Sequence, residues 1–485
     1  MRIADLGGRR VAVWGFGREG RAALAALQLR LPGEPVTLFC SEAEAPFGRA
    51  VHPTVQVVTE APGAAALSAF DIVIKSPGIG AYRAELIEAQ HNGTLFTSGT
   101  ALWFAENPAA RVIAVTGTKG KSTVSALIAH LLRALGHRVA LAGNIGLPLL
   151  ELLDPSQAPH WWVVELSSFQ TREAGALAVG VINNVYEEHL DWHGTRERYV
   201  EDKLALAAVA RTLVVGALQT DLLARTATHA DRHMFGDARG WHVADGAIVR
   251  DGQAAFALAR SPLPGPHNAL NLCAALAALD AAGEDARAAA PSIEAFHPLP
   301  HRLQTLGERD GVTFVDDSIA TTPLATLEAL ASLRGRTVCV LVGGHDRGLD
   351  WRHFADAVRA QSPHAAASEF ADHAPLAEPA DWQGCGRLGI VPCQRIPLVE
   401  RGRLERVAAC IRLQEGLDLD AERCIGAQFP QALWAGRRRQ VDYRIEQFAD
   451  LAKARRIHPT GSRRLRDARS GTRAPCASRG RPSVR

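Results

Sequence analysis

The chain has 485 residues, of which 47% are apolar and 22% charged, with a formal net charge of +3. That length exceeds one ordinary core and implies about two to four domains. No apolar run reaches the roughly 18 residues of a membrane span, the opening M-R-I-A-D-L-G-G-R-R lacks a signal-peptide core, and the eight cysteines include no C-x-x-C pair. A cytoplasmic chain with reduced thiols, away from membranes, is expected. The basic excess is confined to residues 437–485, with 14 Arg and one Lys against four acids. Without aromatic residues arranged for base stacking, this segment reads as a solvated end, and no nucleic-acid partner is expected.

In chain order, V-A-V-W-G-F-G-R-E-G over residues 11–20 predicts a strand running into Gly15-x-Gly17-x-x-Gly20. A helix over 21–29 and a second strand over 36–39 complete a Rossmann-like opening. No acid closes that second strand, where Cys40 and Ser41 precede Glu42. The nicotinamide reading is thereby weakened, and a UDP-type nucleotide fits the same glycine turn. A third strand over 71–74 delivers Lys75-Ser76-Pro77-Gly78, a turn at a strand's carboxyl end, where ligand loops sit.

Residues 112–123, V-I-A-V-T-G-T-K-G-K-S-T, join a buried strand to a glycine loop and then to a helix over 122–135. Gly117 and Gly120 let backbone N–H groups converge on phosphate oxygens, with Thr118 and Lys119 between them. Lys121 adds a point charge, and Ser122 or Thr123 offers a hydroxyl to Mg²⁺. The spacing is shorter than G-x-x-x-x-G-K-[ST]. Only five lysines occur in the chain, at 75, 119, 121, 203 and 453, so a persisting lysine marks a place where ammonium or amine chemistry is wanted.

A strand over 139–142 leads to G-N-I-G with Asn144, and W-W-V-V-E-L over 161–166 ends in Glu165, where a Walker-B-like carboxylate would hold Mg²⁺. Ser167, Ser168, Phe169 and Gln170 follow. A strand over 179–184 enters Y-E-E-H-L-D-W-H-G, in which His189 lies 14 residues before Lys203. Lys203 can reach a metal only as a carbamate, which turns a cation into an oxygen ligand. In G-P-H-N-A-L-N, Asn271 either reads a base or leaves helix capping to Asn268. L-P-H-R forms a linker whose Arg302 can reach a phosphate. From about residue 311 a further βαβ unit is predicted: a strand over 312–315, a helix over 324–333 and a strand over 337–342. Beyond about 360 no strand is placed.

G-T-K-G-K-S-T, G-N-I-G, E-L-S-S-F-Q, E-H-L-D, G-P-H-N-A-L-N, L-P-H-R and D-S-I-A-T-T-P stand in the order that characterises the Mur ligases. The chain resembles that family, in its glutamate-adding branch, over roughly residues 9–355. The resemblance implies an α/β protein of three domains: a UDP-binding Rossmann-like domain (1–105), a central P-loop ATPase domain (106–300) and a Rossmann-like amino-acid domain (301–485), poorly recognisable after about 360. It implies ATP and Mg²⁺ as cofactors, and UDP-N-acetylmuramoyl-L-alanine and glutamate as partners of a monomer. ATP would phosphorylate the substrate carboxylate, and the amine of glutamate would displace phosphate.

Carried over by position, Lys121 would hold the ATP phosphates, and Ser122, Thr123 and Glu165 the magnesium. His189 would take a second magnesium, and Lys203 would be carbamylated. Asn144, Ser167 and Gln170 would line the substrate, with Gly15, Gly17, Arg18, Ser41, Ser76 and Gly78 around its UDP moiety. Asn271, Arg302 and Asp317 would surround ATP. Three positions depart from the common pattern: Glu188 for aspartate, Ile319 for the lysine of D-S-K-A-T-N, and Arg347 for lysine. They favour the branch adding L-glutamate over the one adding D-glutamate. The family's terminal S-P-x-x-x-S-F-D-x-F signature is not recognisable. A folate-type polyglutamate ligase and a non-catalytic UDP-sugar binder are the competing readings.

Overall fold

The computed structural model describes residues 1–52, 54–186, 190–309, 312–320, 323–333, 337–344, 352–360, 365–370 and 406–413. The chain forms two compact units. One comprises residues 1–304 with 317–335, and the other residues 305–316 with 336–485.

The first unit opens with β1 (Val11–Trp14), β2 (Val36–Phe39), β3 (Gln56–Val58), β4 (Ile72–Lys75) and β5 (Leu95–Thr97), in a parallel sheet of order β3-β2-β1-β4-β5. The strand expected third is therefore the fourth. Gln56–Val58 has only three residues and little alternation, too short a signal to read. The chain leaves β1 toward β2 and returns on the other side through β4, so the crevice where ligands bind opens between the ends of β1 and β4. The helix after β1 runs Arg18–Arg30, beginning three residues earlier than predicted.

A second parallel sheet contains β6 (Val112–Thr116), β7 (Val139–Gly143), β8 (Trp161–Glu165), β9 (Leu177–Ile182), β10 (Ala210–Gly216) and β11 (Arg232–Phe235), in the order β11-β10-β9-β6-β8-β7. Strand β6 is central, and its side chains alternate between two cores. Ile113 and Val115 pack with the helices Lys121–Ala134 and Pro266–Ala281, while Val112 and Ala114 join a core shared with the first sheet. Burial on both faces is why V-I-A-V reads as a continuous apolar run. In Lys121–Ala134, Val124, Leu127, Ile128, Leu131 and Leu132 recur at helical spacing on the buried face.

The two sheets are joined by the helix Gly99–Glu106, whose Trp103 is fully buried with its ring 4.7 Å from that of Trp162 in β8. Truncating Trp103 to alanine would remove about 3–5 kcal/mol from this junction. A meander of β12 (His242–Ala244), β13 (Ala247–Arg250) and β14 (Gln253–Ala257) follows, which the sequence did not disclose.

The second unit holds a sheet of order β15-β16-β19-β17-β18, from β15 (Gln304–Arg309), β16 (Val312–Asp316), β17 (Thr337–Gly344), β18 (Ala365–Phe370) and β19 (Arg406–Leu413). Strand β19 pairs in parallel with both β16 and β17. Among the described residues, two strands thus lie beyond residue 360, where the sequence did not let any be placed.

Candidate functional site

The phosphate loop hangs from the end of β6, at the point where the second sheet changes direction. Gly120 caps the helix Lys121–Ala134 with φ +79°, and a Cβ there would lie 2.3 Å from Asn271 Oδ1 and 2.5 Å from Asn183 Nδ2. Only glycine fits. The loop is held from beneath by two asparagines at the end of β9. Asn184 Oδ1 accepts from the backbone of Thr118 (3.1 Å) and Lys119 (2.8 Å), and Asn183 Nδ2 donates to the Lys119 carbonyl (2.9 Å) and to Asn271 Oδ1 (3.0 Å). The Thr118 hydroxyl bonds Tyr199 (2.6 Å), and Lys121 Nζ folds back to the Thr118 carbonyl at 3.0 Å.

Asn271 therefore acts as a buried strut under the loop, its Nδ2 donating to Asn268 Oδ1 at 3.2 Å. Asn268 is not the helix cap. The helix begins at Pro266 with Gly265 as its cap, and Asn268 Nδ2 donates to the Pro264 carbonyl at 2.6 Å. The helix thus starts within G-P-H-N-A-L-N, because proline suits the first turn, where no N–H is needed.

Glu165 ends β8 and is the register partner of Val115, the residue before Thr116. Its carboxylate is buried; Oε1 accepts from Asn144 Nδ2 at 2.8 Å, and Oε2 has no hydrogen-bond partner among the described residues. A buried anionic oxygen left unpaired is costly, and its hard-oxygen chemistry suits a magnesium ion. Arg302 connects the loop to this acid. Its Nη2 donates to Ser122 Oγ at 2.9 Å, burial lowers its basicity, and Glu165 and Asp317 act against that shift. Asp317 Oδ1 also accepts from the Leu303 backbone at 2.9 Å. Ser122 and Thr123 are buried in the helix's first turn.

Lys203 lies in the helix Arg196–Val209, 2% exposed, its Nζ donating to the Gly117 carbonyl at 2.8 Å and standing 4.8 Å from the Tyr199 ring centre. A carbamate on that amine would be delivered to the base of the phosphate loop. His189 and Glu188 lie outside the described residues, as do Arg347 and the expected terminal signature. Among the described residues no group of three or more His, Cys, Asp or Glu is placed to hold a metal. The expected set instead combines one carboxylate, two hydroxyls, a histidine and a modified lysine.

At the first sheet's crevice, Ser76 Oγ donates to the Gly15 carbonyl (3.2 Å) and the Ser76 N–H to the Trp14 carbonyl (2.9 Å). A Cβ on Gly20 would fall 1.9 Å from the Gly15 carbonyl oxygen, so the third glycine sets the close approach of helix and turn. Gly17 caps the following helix, and Gly78 sits in the turn closed by the Ile79 N–H to Ser76 O bond at 3.0 Å. Arg18 Nη2 donates to the Gly146 carbonyl, bringing the first glycine turn next to the G-N-I-G turn that carries Asn144. Ser41 binds Glu44 through its hydroxyl at 2.7 Å. Ser167 Oγ donates to Gln170 Oε1 at 2.8 Å, and Gln170 Nε2 to Thr100 Oγ1 at 3.2 Å.

Several participants escaped sequence reasoning. Asn183, Asn184 and Tyr199 support the loop, while Glu19 sits in the first turn of the glycine-turn helix. Burial pushes the Glu19 carboxyl up to about 7, with Arg18 drawing it down and Glu151 and Glu173 adding to the rise. Lys75, which leads into the turn where ligand loops sit, is buried. Its Nζ lies 3.9 Å from Glu173 Oε1, and burial lowers its basicity against the pull of that acid.

Residues 115–279 match the Mur ligase middle domain. The UDP-N-acetylmuramoyl-L-alanine--L-glutamate ligase of Xanthomonas euvesicatoria pv. vesicatoria (strain 85-10) is 50% identical over 374 residues, covering 75% of this chain and 80% of that protein. The like-named protein of Micromonospora sp. (strain ATCC 39149 / NRRL 15099 / SCC 1413) is 37% identical over 480 residues, covering 95% of this chain and 100% of its own length. Among solved structures, UDP-N-acetylmuramate-alanine ligase MurC from Thermotoga maritima gives a TM-score of 0.52 at 18% identity, over 84% of this chain and 96% of that one. MurF from Acinetobacter baumannii gives 0.53 at 17%, over 78% and 87%. These two likenesses bear on the fold alone. Joined to the phosphate loop at a sheet's switch point and to the sequence identity with the ligases above, they lead to one conclusion: the chain belongs to the Mur ligase family of ATP-dependent amide-bond-forming ligases.

Proposed function

We propose that this chain joins L-glutamate to UDP-N-acetylmuramoyl-L-alanine with ATP, a step in the synthesis of peptidoglycan precursors in the cytoplasm. The observation that carries the reading is the pairing of Val115 with Glu165, which sets a buried, half-unpaired acid beside the strand that feeds the phosphate loop. The relatives at 50% identity are named L-glutamate ligases, which favours L-glutamate over its enantiomer.

The chemical problem is a carboxylate with no leaving group. A carboxylate oxygen of the substrate attacks the terminal phosphorus of ATP, and the P–O bond to ADP breaks. The amine of glutamate then adds to the acyl carbon, loses a proton, and phosphate departs with the C–O bond. In this reading Lys119 and Lys121 offset charge gathering between two anions, while Asn144, Ser167 and Gln170 orient the acceptor. Gly15, Gly17, Arg18, Ser76 and Gly78 hold the diphosphate end, and Ser41 stands at the nucleoside side. Magnesium, when bound, would be held by Glu165 with Ser122 or Thr123, and by His189 and a carbamylated Lys203, neutralising phosphate charge. Arg302, already on Ser122 and within the field of Glu165 and Asp317, would move with the phosphates.

The test is product mass. With UDP-N-acetylmuramoyl-L-alanine, ATP, Mg²⁺ and L-glutamate, the nucleotide product gains one glutamyl residue. Accumulation only with D-glutamate would reverse the stereochemical reading, and none with either would leave a nucleotide-sugar binder.

A further inference from the structure

Asp202 precedes Lys203 and is 1% exposed, yet it gathers three polar groups from distant segments. The Tyr82 hydroxyl, from the turn after β4, donates to it at 2.8 Å; Arg172 Nε, from the segment after E-L-S-S-F-Q, donates to Oδ1; His193 Nδ1 lies 2.6 Å from Oδ2. The acid accepts, so His193 presents an N–H from Nδ1, while its Nε2 lies 3.0 Å from the Ser168 hydroxyl. Hydrogen bonding links Ser168, His193 and Asp202 in the order of a hydrolytic triad, with Ser168 only 4% exposed. So buried a hydroxyl is not presented as a nucleophile in this structure, and the group is taken as a structural network.

The segment beside His193 is tied to the same turn of the first sheet: Trp192 Nε1 donates to the Pro77 carbonyl at 3.1 Å, and the Trp192 ring meets that of Tyr82 edge-on at 5.8 Å. Pro77 stands between Ser76 and Gly78. A buried, fully engaged carboxylate thus locks the nucleotide-sugar turn to the helix that carries Lys203. Such networks hold their members in one geometry because each broken bond strands a buried polar group.

We propose that Asp202 is a positioning residue that couples occupancy of the Ser76–Gly78 turn to the placement of Lys203, with Tyr82 as the link from the substrate side. The inference rests on the functional reading above for the identity of the ligand. Seating the diphosphate steadies the turn, Tyr82 passes this to Asp202, and the next residue is held against the Gly117 carbonyl. ATP-site chemistry is then assembled only once the acceptor substrate is present.

Hydrogen–deuterium exchange on the full chain, with and without saturating UDP-N-acetylmuramoyl-L-alanine, tests this. In the wild type, substrate slows exchange across Arg196–Val209. Tyr82→Phe, which removes one hydroxyl and leaves the ring, keeps substrate Kd within about twofold, loses most of that slowing, and lowers kcat about tenfold with KM for ATP unchanged. Asp202→Asn, which also disturbs Arg172 and His193, loses more. Wild-type slowing in Tyr82→Phe overturns the coupling, as does a wild type that binds substrate in a parallel titration without protecting the helix. A wild type that binds no substrate removes the functional reading, and the coupling with it.

Discussion

Asn144 Nδ2 donates to Glu165 Oε1 at 2.8 Å, which fixes the carboxylate plane while leaving Oε2 buried and without a partner among the described residues. A buried carboxylate held so rigidly with one oxygen unbonded is well placed to serve as a metal ligand. Glu165→Gln is expected to lower kcat about 10²- to 10³-fold. Its melting temperature, measured without ligands, holds or rises because a buried charge is removed. Added Mg²⁺ with ATP should stabilise the wild type and not the variant. Calorimetry read beside steady-state rates checks both halves.

Gly120→Ala confronts a φ of +79° and two asparagine side chains inside 2.6 Å of the new Cβ. Backbone strain alone costs about 1–3 kcal/mol, and Asn183 cannot retreat without releasing the Lys119 carbonyl and Asn271. Loss of stability in chemical denaturation, together with loss of ATP binding, is the expected result. Gly78→Ala, where open space surrounds the position, should leave stability unchanged.

The parts of this site that were legible in the sequence are those where one residue type answers one chemical demand. Gly120 and Lys121 are such positions, and so is Glu165 at the end of an apolar strand. The helix start at Pro266 was misjudged because Asn268 is a good capping residue in isolation, whereas here its amide turns back to the Pro264 carbonyl. Asp202 and His193 were not singled out, since their partners lie 120 and 25 residues away, and no periodicity signals such contacts. Their one local signal was an acid directly before a rare lysine. Strand β19 was unreadable for a related reason: R-V-A-A-C-I-R-L alternates weakly, and its place between β16 and β17 is decided by pairing with strands far away in sequence.

Glu19 should shape the pH dependence of stability. Its folded carboxyl sits up at about 7 against an ordinary 4.5, chiefly through burial. Between those values the folded state binds a proton that the unfolded state has lost, so stability falls as pH rises through this window and stays lower above it. The shift corresponds to roughly 3 kcal/mol at most, and to about half that once partial solvent access is allowed for. Glu19→Gln should flatten the melting-temperature profile between pH 4.5 and about 7 and raise the value at alkaline pH. An unchanged profile would mean that Glu19 is solvated.

Lys203 donates to the Gly117 carbonyl from a buried position, which an ordinary structural lysine could also do. Carbamylation makes a sharper demand. Depleting bicarbonate should lower the wild-type rate reversibly, and ¹³C-enriched bicarbonate should give a carbamate resonance absent from Lys203→Gln. That variant should turn over about 10³-fold more slowly, consistent with loss of a charged group that organises the phosphates, and should ignore bicarbonate. A wild-type rate indifferent to bicarbonate would assign Lys203 to support of the loop alone.

Phosphate release from ATP and Mg²⁺ in the presence of UDP-N-acetylmuramoyl-L-alanine, run with L-glutamate, D-glutamate and no amino acid, decides whether this chain is an L-glutamate ligase. Sustained release is expected with L-glutamate and background in the other two arms. Release only with D-glutamate, or background in all three while the nucleotide-sugar substrate binds, would contradict that assignment.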